Sequence, residues 1–414
     1  MPLENLEETL LNLREIGLSD KEQEICFLTD EPKILNFIAL PNLNAKKKYY
    51  AKESYGQGYH PNETLARIKA IAEFLERLCL DNPKEKELKK SYFTNNRSFI
   101  DPSIFCCYSE KQIGDRNLFK KEAKSSLYLW SEVYDVLNNK KVLVPSQTIF
   151  LKDLFKEEFQ LRKERISTGA ALGKVGTNRA FISGLLEVIE RDACIYSYLT
   201  KKEIPKIVNF EGPIKELEEY LERYNLESFT FLATSDLNVP TTISIIIDRT
   251  GIGPAVEVGS ASALNYNDAI YKSLLEAIQC RRYARLFNDI RFPNGPPKEN
   301  EIFGLDERFV YWHSFERIND LDFWLETKNK IEFSSLKNYS ISLEKILEEF
   351  KKRNFNIFVT DISLPEIKER GFEVKKVIIP ELHTLYLDER AKALYSIHYG
   401  EIKDEKNLKP HPLT

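Results

Sequence analysis

The alternation of apolar and polar positions divides the chain into helices and strands that follow no single regular order. Helical periodicity predicts three long helices at about 63–80, 178–200 and 267–289, and shorter ones at about 5–17, 213–224 and 341–353. Runs rich in β-branched and aromatic residues predict strands in KILNFIAL, KVLVPSQTIFL, TFLATSD, TISIIID, FNIFVTD and EVKKVII. Because strands and helices mix without a strict strand–helix–strand rhythm, we predict an α+β fold, with mixed or antiparallel sheets flanked by long helices.

Segments rich in glycine and small residues precede the long helices. ISTGAALGKVGTN and GIGPAVEVGSASALNYN contain few bulky apolar residues, and both are predicted to be loops. The segment with Ser54, Gly56 and Gly58 is either a tight loop beside a ligand or a simple turn. Residues 82–125 are lysine-rich and are predicted to form loops with short helices.

The three long helices share one spacing of alanine, glutamate and arginine. In each helix an alanine precedes a glutamate by seven residues, and a second Glu or Gln follows three positions later. The sets are Ala66, Glu73 and Glu76; Ala180, Glu187 and Glu190; and Ala269, Glu276 and Gln279. Arginine follows within three residues each time, as Arg77, Arg191, and Arg281 with Arg282. The sets are unequally spaced along the chain, so the pattern indicates one functional device on three helices and not a stacked repeat.

Residues three apart lie on one face of a helix, so each helix presents a pair of oxygen-bearing side chains. For a single pair, a solvated charged face is the simpler interpretation. The neighbours here are apolar, however, as FISGLLEVIERDACIY shows, and unpaired buried carboxylates are costly. Four such glutamates predict a cluster that requires cations. Their hard oxygen ligands suit Mg²⁺, and the nearby arginines become candidates for substrate phosphates.

The common phosphate-binding motifs do not fit the sequence. GAALGKV at 169–175 is one residue short of a P-loop and has valine in place of the hydroxyl residue. Gly251, Gly253 and Gly259 do not form the dinucleotide motif. Kinase and nucleophile-elbow signatures are also missing. A nucleotide site in this chain would therefore be built on the glutamate helices.

These residues resemble the YcaO superfamily, whose ATP site is formed by carboxylate-bearing helices instead of a P-loop. The family's Ser-x3-Glu-x2-Glu motif is intact as Ser183, Glu187 and Glu190. The resemblance covers about 30–414. Its matching stretches are SYGQGYHPNETLARIKAIAEFLER, ISTGAALGKVGTNRAFISGLLEVIERDA, SASALNYNDAIYKSLLEAIQCRR and VTDISLPEIKERGFEVKKVIIP. It implies a YcaO-type ATP-binding fold, with a single catalytic domain over 1–414, an N-terminal helical lead over 1–30 and a C-terminal tail over 400–414.

The resemblance implies an enzyme that uses ATP and Mg²⁺ to activate a peptide-backbone amide. In such enzymes a nucleophile adds to the amide carbon, and the carbonyl oxygen takes the γ-phosphoryl group. By position, the resemblance assigns Mg²⁺ binding to Glu73, Glu76, Glu187 and Glu190. It assigns contacts to nucleotide or phosphate to Arg77, Gln279 and Arg282, with Ser183, Arg191 and Glu276 in support. Arg77 and Arg282 are also catalytic candidates.

Two departures from the family pattern bear on the chemistry. Lys69 stands where the first helix would carry the serine, and it either reaches a phosphate or lies on the surface. Azoline-forming relatives end in Pro-x-Pro-x-Pro, whereas this chain ends KPHPLT and lacks the last proline. His411 in this tail is either a catalytic base or part of a disordered terminus.

The nucleophile divides the functional hypotheses. The first hypothesis is thioamidation of a peptide or protein, with sulfide or a partner protein as the sulfur donor. It is favoured by the imperfect tail, by a composition rich in Lys, Glu and Ile that resembles a thermophile's, and by the lack of a fused peptide-clamp domain. Azoline formation on a Cys, Ser or Thr of a ribosomal peptide is the first alternative. A non-catalytic ATP-binding accessory protein and a generic α+β protein with structural ion pairs are the others.

Composition sets the remaining expectations. The net charge of −4 offers no basic stripe for nucleic acid, and no run of 18 apolar residues could span a membrane. Six scattered cysteines without metal spacing predict free thiols in a reducing cytoplasm. The N-terminal stretch MPLENLEETLLNLREIG lacks the features of a signal peptide. The family resemblance also leaves a homodimer open.

Overall fold

The computed structural model describes residues 5–26, 28–51, 54–96, 98–151, 153–165, 167–292, 295–403 and 409–413, without the side chains of residues 153 and 286–291. The helices are α1 Leu6–Arg14, α2 Leu43–Lys48, α3 Glu63–Asp81, α4 Glu110–Ile113, α5 Arg116–Ser125, α6 Arg179–Leu199, α7 Gly212–Glu222, α8 Tyr266–Arg291, α9 Leu305–Tyr311, α10 Asp322–Leu325, α11 Phe333–Leu336, α12 Leu343–Lys352 and α13 Pro365–Glu369. The strands are β1 Gln23–Glu24, β2 Asn36–Ala39, β3 Gly56–Tyr59, β4 Lys89–Tyr92, β5 Leu127–Asp135, β6 Lys140–Pro145, β7 Ala170–Lys174, β8 Lys206–Val208, β9 Leu226–Leu232, β10 Thr241–Asp248, β11 Val256–Ser262, β12 Lys330–Glu332, β13 Phe358–Asp361, β14 Phe372–Ile378, β15 Tyr395–Ser396 and β16 Gly400–Glu401.

The described strands form three main sheets and one short hairpin. A three-stranded sheet has the order β1-β2-β3, and a five-stranded sheet has the order β11-β10-β9-β8-β12. The six-stranded sheet runs β4-β5-β13-β14-β7, with β6 on the other side of β5. All pairings are antiparallel except β8 with β12, so the predicted α+β class with mixed and antiparallel sheets is confirmed.

The three long helices of the sequence pattern are confirmed, and each packs on a different sheet. α3 contacts β2 and β3, α8 contacts β10 and β11, and α6 contacts β7 and β14. α6 also contacts β11, so it touches strands of both larger sheets. α3 begins where Asn62 accepts a hydrogen bond from the backbone of Leu65, which is a normal N-cap. The middle strand β10, with the sequence TTISIIID, is buried throughout.

Loops were predicted before the second and third long helices, but the middle of each predicted loop is a strand. AALGK forms β7 and VEVGSAS forms β11, each the last strand of its sheet within the described residues. Small residues suit these strands because helices pack directly against them. A Cβ built on Gly259 would lie 2.3 Å from the carbonyl oxygen of Ser273 on α8, and one on Gly173 would lie 2.6 Å from the backbone nitrogen of Ala180.

The segment with Gly56 and Gly58 is also a strand, β3, and neither of the two expected turn structures. A Cβ on Gly58 would lie 1.7 Å from the carbonyl oxygen of Ala66, so glycine is required by the close approach of α3. Residues 82–125 contain the expected short helices together with β4. The next strand, β5, was not predicted, although LYLWSEVYD alternates in the manner of a half-buried strand.

No helix within the described residues combines the length and the apolar character that crossing a bilayer requires.

Candidate nucleotide and metal site

A cavity of about 480 Å³ lies where α3, α6 and α8 meet the edges of the sheets. Eight of the predicted site residues line it, namely Glu73, Glu76, Ser183, Glu187, Glu190, Arg191, Glu276 and Gln279. The spacing that repeats along the sequence therefore brings three helices to one place.

Backbone N–H groups at the sheet edges hold the two glutamates of α3. Glu73 Oε2 accepts a hydrogen bond from the N–H of Gln57 on β3 (2.7 Å), and Glu76 Oε1 accepts one from the N–H of Leu172 on β7 (2.7 Å). Arg77, one turn later, donates to Glu73 Oε1 at 2.6 Å. The described residues supply no donor to the second oxygen of Glu76, so this oxygen is available to a cation.

The first glutamates of α6 and α8 are held in the same way. Glu187 Oε2 accepts from the N–H of Gly169, just before β7, at 2.8 Å. Glu276 Oε2 accepts from the N–H of Ser260 on β11, also at 2.8 Å. Each bond fixes the direction of the carboxylate before any ligand arrives, which lowers the ordering cost of binding.

Glu190 is the most enclosed of the carboxylates. It accepts from the hydroxyl of Ser260 (2.7 Å) and from the N–H of Ser262 (3.0 Å). Arg191 lies 3.7 Å from Glu190 and 3.9 Å from Glu187. One arginine thus stands beside two carboxylates, and the lining keeps an excess of acidic groups.

Enclosure by protein changes the protonation of these groups. Burial raises the pKa of Glu76 well above its ordinary value, and the charges of Glu73 and Glu187 act in the same direction. Burial raises the pKa of Glu190, and burial together with the charge of Glu190 raises the pKa of Glu276 to about 8. The cluster therefore retains protons at neutral pH, and a bound cation would displace them.

Two lysines line the same cavity and provide positive charge. Lys69 lies four residues before Glu73, and Lys272 lies four residues before Glu276. Surrounding protein and the charge of Lys272 lower the pKa of Lys69 to about 8. Neighbouring ammonium groups repel each other, and an anion such as a phosphate would relieve this repulsion. The sequence allowed Lys69 either to reach a phosphate or to lie on the surface, and in the structure Lys69 lines the cavity.

Arg77 and Gln279 lie at the margin of this arrangement. The guanidinium of Arg77 packs over the ring of Tyr55, 4.9 Å from its centroid, in addition to its bond with Glu73. Gln279 Nε2 donates to Gln57 Oε1 at 3.3 Å. Both side chains are therefore already placed by protein contacts.

The structure does not bring Arg282 and His411 to the cavity. Arg282 donates to the backbone carbonyls of Ile25 and Cys26, and burial lowers its pKa. It lies one turn beyond Gln279, where α8 has passed the cavity and reaches the segment after β1. A contact between Arg282 and phosphate therefore stays a prediction, because its described contacts lie outside the cavity.

His411 is fully buried in a packed segment, so the alternative of a disordered terminus is wrong for residues 409–413. The Nε2–H of His411 donates to the carbonyl of Tyr386 at 2.6 Å, and Arg308 donates to the backbone carbonyl of His411 at 2.6 Å. Burial holds the pKa of His411 well below its ordinary value. A neutral ring with its Nε2–H engaged does not fit the expected role of a base.

Several lining residues escaped the sequence pattern, namely Gln57, Tyr59, Lys272, Ser260 and Ser262. Lys272 carried a usable signal, because Lys69, Ser183 and Lys272 each stand four positions before the first glutamate of their helix. The others belong to strands β3 and β11, which the pattern had assigned to loops or turns.

The carboxylates do not form a closed metal cage. Among the described residues, no three carboxylate, imidazole or thiolate side chains lie close enough together to hold one ion. Mg²⁺ is commonly held by one or two carboxylates together with phosphate oxygens and water. The free oxygen of Glu76 and the lysines nearby fit such a shared site, in which nucleotide completes the coordination.

A buried contact fixes α6 from the opposite side. Asp192 accepts from the backbone N–H of His383 at 2.6 Å, and its other oxygen lies 2.9 Å from His398 Nδ1. The second nitrogen of His398 lies 2.9 Å from Asp236. Because Asp192 follows Glu190 by two residues, this contact stabilises the helix that carries the acidic pair.

Comparison with known families places the chain in a class. A family model described as YcaO cyclodehydratase, ATP- and Mg²⁺-binding, matches residues 57–383. The chain belongs to the YcaO family, and the expected cofactors, ATP and Mg²⁺, are those of the family description. No curated protein matches the chain.

Solved structures of low sequence identity share the fold. A heterocyclase in complex with substrate and cofactor has a TM-score of 0.73 and 17% identity, over 92% of this chain and 52% of its own. YcaO from Methanopyrus kandleri, bound with AMPPCP and Mg²⁺, has a TM-score of 0.65 and 18% identity over 93% of each chain. The E. coli microcin synthetase McbBCD complex with pro-MccB17 bound has a TM-score of 0.65 and 14% identity, over 95% of this chain and 96% of the other. The chain thus spans about half the length of the heterocyclase, and the YcaO-type fold is confirmed.

Proposed function

We propose that this protein uses ATP and Mg²⁺ to activate a backbone amide of a peptide or protein, and that an external sulfur nucleophile converts the amide to a thioamide. The observation that supports ATP- and Mg²⁺-dependent activation is the cavity itself. Oriented carboxylates from three helices and two lysines line one space of about 480 Å³. Such a mixture suits a metal–triphosphate complex, which carries charge of both signs.

Each charged group has a definite task in this proposal. Glu76 and Glu187 would hold Mg²⁺ through the oxygens that the backbone N–H groups do not use, and Glu73 and Glu190 would do so in exchange for their bonds to Arg77 and to the Ser260 hydroxyl. Lys69 and Lys272, with Arg77 at the margin, would neutralise phosphate oxygens. Bound ATP supplies the phosphoryl group that turns an amide oxygen into a leaving group.

The proximity of Arg191 to Glu187 and Glu190 supports a further assignment. Its guanidinium offsets part of their negative charge while the cation is absent, and it remains close enough to contact phosphate afterwards. Glu276 would exchange its proton with the arriving cation, since its pKa of about 8 makes the neutral form dominant at neutral pH. Ser183 and Gln279 would complete the polar lining.

The choice of sulfur nucleophile is supported by the C-terminal segment. A Cys, Ser or Thr nucleophile of a substrate needs a base to remove its proton, and His411 was the base candidate of the tail. His411 is neutral, buried and bonded to Tyr386. Hydrogen sulfide is already substantially ionised to hydrosulfide near neutral pH, and hydrosulfide needs no such base. The missing final proline of the tail agrees with this choice.

Azoline formation is the second candidate, and the description of the family model as a cyclodehydratase favours it. Both routes pass through activation of the amide oxygen, so they can be tested together. We would incubate the full chain with Mg·ATP and a library of peptides whose backbone carbonyls carry oxygen-18. Half of the library would contain Cys, Ser and Thr, and half would contain glycine without these residues.

Transfer of oxygen-18 into released phosphate is the expected sign of amide activation. Thioamidation predicts, in addition, replacement of one oxygen by sulfur in the glycine peptides, dependent on added sulfide. Loss of water from Cys, Ser or Thr peptides without sulfide would replace thioamidation by azoline formation. Nucleotide binding with no labelled phosphate and no product would favour the accessory role. Glu187→Gln is the inactive control, and Glu216→Gln, at an exposed position of α7, is the matched neutral change.

A further inference from the structure

A histidine in the last hairpin bridges two carboxylates of different elements. His398 lies in the turn between β15 and β16, and its side chain is 5% exposed. Its Nδ1 lies 2.9 Å from Asp192 Oδ2 on α6, and its Nε2 lies 2.9 Å from Asp236 Oδ1, between β9 and β10. An ionised carboxylate can only accept hydrogen bonds, so both ring nitrogens must carry a hydrogen to satisfy both contacts. The geometry therefore fits a positively charged imidazolium.

This bridge and the acidic pair attach α6 to the same sheet. Glu190 accepts hydrogen bonds from two serines of β11, whereas Asp192 reaches Asp236 through His398. Because β10 pairs with both β9 and β11, the segment that carries Asp236 and strand β11 belong to one sheet. Residues two apart on a helix point about 200° apart, so Glu190 and Asp192 leave α6 in nearly opposite directions. The helix is thus held to the five-stranded sheet on both of its sides.

Aromatic contacts keep the turn in place independently of charge. The ring of Tyr399 stacks on that of Tyr196 with 3.6 Å between the centroids, and Tyr196 lies one helical turn after Asp192. Tyr399 also stacks on His398 at 3.8 Å, and the ring of Phe355 meets His398 edge-on at 5.2 Å. Loss of a proton from His398 would therefore change the bridge and leave the turn packed on α6.

The two carboxylates favour the protonated form of His398. Burial alone would lower the pKa of His398, but the hydrogen bonds and charges of Asp192 and Asp236 outweigh burial, so this pKa lies above its ordinary value of 6.5. Burial raises the pKa of Asp192, and the hydrogen bond with His398 opposes this rise. The bridge is therefore complete below pH 6.5 and is lost as the pH rises through the raised pKa of His398.

Other titratable groups packed against the bridge do not replace His398. They are Tyr399 in the turn, Glu381 and His383 after β14, and Arg353 at the end of α12. Burial raises the pKa of Tyr399 and of Glu381, and it lowers the pKa of His383 to about 4, so that this ring is neutral. Arg353 is shared between Asp236 and Glu349. His398 is thus the group in this cluster whose charge changes just above neutral pH.

We propose that His398 is a positioning residue for the acidic pair of α6, and that its doubly protonated ring holds this helix against the five-stranded sheet. Asp192 is buried and Asp236 is half exposed, so the neutral ring keeps its hydrogen on Nδ1. The lone pair of Nε2 then faces a carboxylate oxygen, and the two repel each other. The alignment of Glu190 with β11 loosens, and Mg²⁺ with nucleotide binds more weakly. This last consequence rests on the metal-binding role proposed above for Glu190.

The test compares the wild type with Asp236→Asn. An amide can accept from an imidazolium or donate to a neutral ring, so this variant keeps the bridge without the second proton. We expect equal affinity for Mg·AMPPCP at about pH 6, and at least about fivefold weaker binding by the wild type at about pH 9, the lower end of usual coupling between sites. Groups that both proteins share cancel in this ratio. Asp20→Asn, at an exposed position, is the matched control and should follow the wild type.

Two further measurements need no nucleotide. Nitrogen-15 NMR of the histidine rings reads the protonation of His398, whose signals are assigned by their loss in His398→Gln. Hydrogen exchange in β11 should be equal in the wild type and Asp236→Asn at about pH 6, and faster in the wild type at about pH 9. A His398 ring that is neutral below pH 6.5, or equal exchange at both pH values, would overturn the proposal. Exchange that diverges with pH while the affinities stay equal would support the positioning of α6 and refute the proposed metal role of Glu190.

Discussion

At the residue scale, hydrogen bonds from the protein orient the acidic side chains of the site. Glu76 and Glu276 each give one oxygen to a strand N–H, Glu187 gives one to the N–H of Gly169 just before β7, and Glu190 is bonded through both oxygens. A glutamine can accept the same N–H bond, but it lacks the charge that attracts a cation. Substitution by glutamine therefore separates orientation from metal binding.

Glu76→Gln and Glu187→Gln are expected to lower the affinity for Mg·AMPPCP at least about tenfold, or about 1.4 kcal/mol. Without nucleotide, neither variant should be less stable than the wild type by more than about 0.5 kcal/mol, because each removes a carboxylate that is costly to bury. Isothermal titration and thermal unfolding measure the two quantities. Unchanged affinity in both variants would revive the interpretation of structural ion pairs. Glu216→Gln is the control for a neutral change at an exposed site.

The raised pKa of Glu276 predicts a dependence of stability on pH. A folded-state pKa of about 8, above the ordinary value of 4.5, means that folding favours the protonated acid. This contribution to the free energy of unfolding is complete below pH 4.5 and is lost as the pH rises through 8. Glutamine at this position stays neutral, so Glu276→Gln should gain stability relative to the wild type as the pH rises.

The measurement is the difference in melting temperature between Glu276→Gln and the wild type, taken near pH 4.5 and near pH 8 without nucleotide. A difference that does not change with pH would contradict the assigned pKa. Comparing the two proteins cancels the titration of groups that they share. The charge of Glu190 contributes to the raised pKa of Glu276. The pH-dependent change in melting temperature of the double variant Glu190→Gln/Glu276→Gln should therefore be smaller than the sum of the changes in the two single variants.

At the scale of elements, the site consists of three strand–helix units. β3 with α3 and β11 with α8 each pair an edge-strand N–H with the first glutamate of the helix that follows, and the residue just before β7 does the same for α6. In the first and third units the donor precedes the glutamate by 16 residues. The repeated sequence spacing therefore reflects a repeated supersecondary structure.

The glycine at the contact of β3 with α3 offers a test of this unit. In Gly58→Ala the new Cβ would lie 1.7 Å from the carbonyl oxygen of Ala66, so the strand must move away from the helix. We expect a destabilisation of about 1–3 kcal/mol, the usual cost of overpacking, with a loss of nucleotide affinity as the Gln57 N–H leaves Glu73. Denaturant unfolding and titration with Mg·AMPPCP measure both.

Gly304→Ala provides the matched control, since the nearest atom to its Cβ would be a flexible carboxylate oxygen at 3.3 Å. It should change stability by no more than about 0.5 kcal/mol. If Gly58→Ala behaved in the same way, the close packing of β3 on α3 would not be what orients Glu73.

The success of sequence reasoning differed between helices and strands for a physical reason. The periodic pattern of apolar residues along a helix is still recognisable when the helix is largely buried. The three long helices and their acidic pairs, such as Glu187 and Glu190, could therefore be predicted. β7 and β11 consist largely of small residues, which have low strand propensity and are favoured here by close contact with helices. Their N–H groups, and the serines of β11, could not be placed without the tertiary structure. The burial of the tail that contains His411 could not be predicted, because it depends on distant partners such as Arg308 and Tyr386.

At the scale of the whole molecule, the cavity is the place where three sheets meet. β3, β7 and β11 are the last strands of their sheets within the described residues, and each donates at least one N–H to a lining carboxylate. The same fold occurs in relatives at 14–18% identity, so the architecture tolerates extensive replacement of side chains. A ligand at this point contacts elements from every main sheet.

Ligand binding should therefore protect the three edge strands together. A ligand that binds only the native state slows the opening of the units that form its site. In hydrogen exchange measured by mass spectrometry, Mg·AMPPCP should slow exchange in peptides that contain β3, β7 and β11 at one common ligand concentration. The hairpin of β15 and β16, which donates no N–H to the acidic cluster, is the internal control.

The metal requirement sharpens this last test. Because no three protein ligands within the described residues converge on one ion, Mg²⁺ alone should give little protection. AMPPCP with EDTA should also give little, since the acidic lining repels an uncompensated triphosphate. Protection that needs both components and appears in all three strands would establish that metal and nucleotide complete one shared site. Protection confined to one sheet, or full protection by Mg²⁺ alone, would show that the carboxylates act separately, and the proposed joint coordination would have to be abandoned.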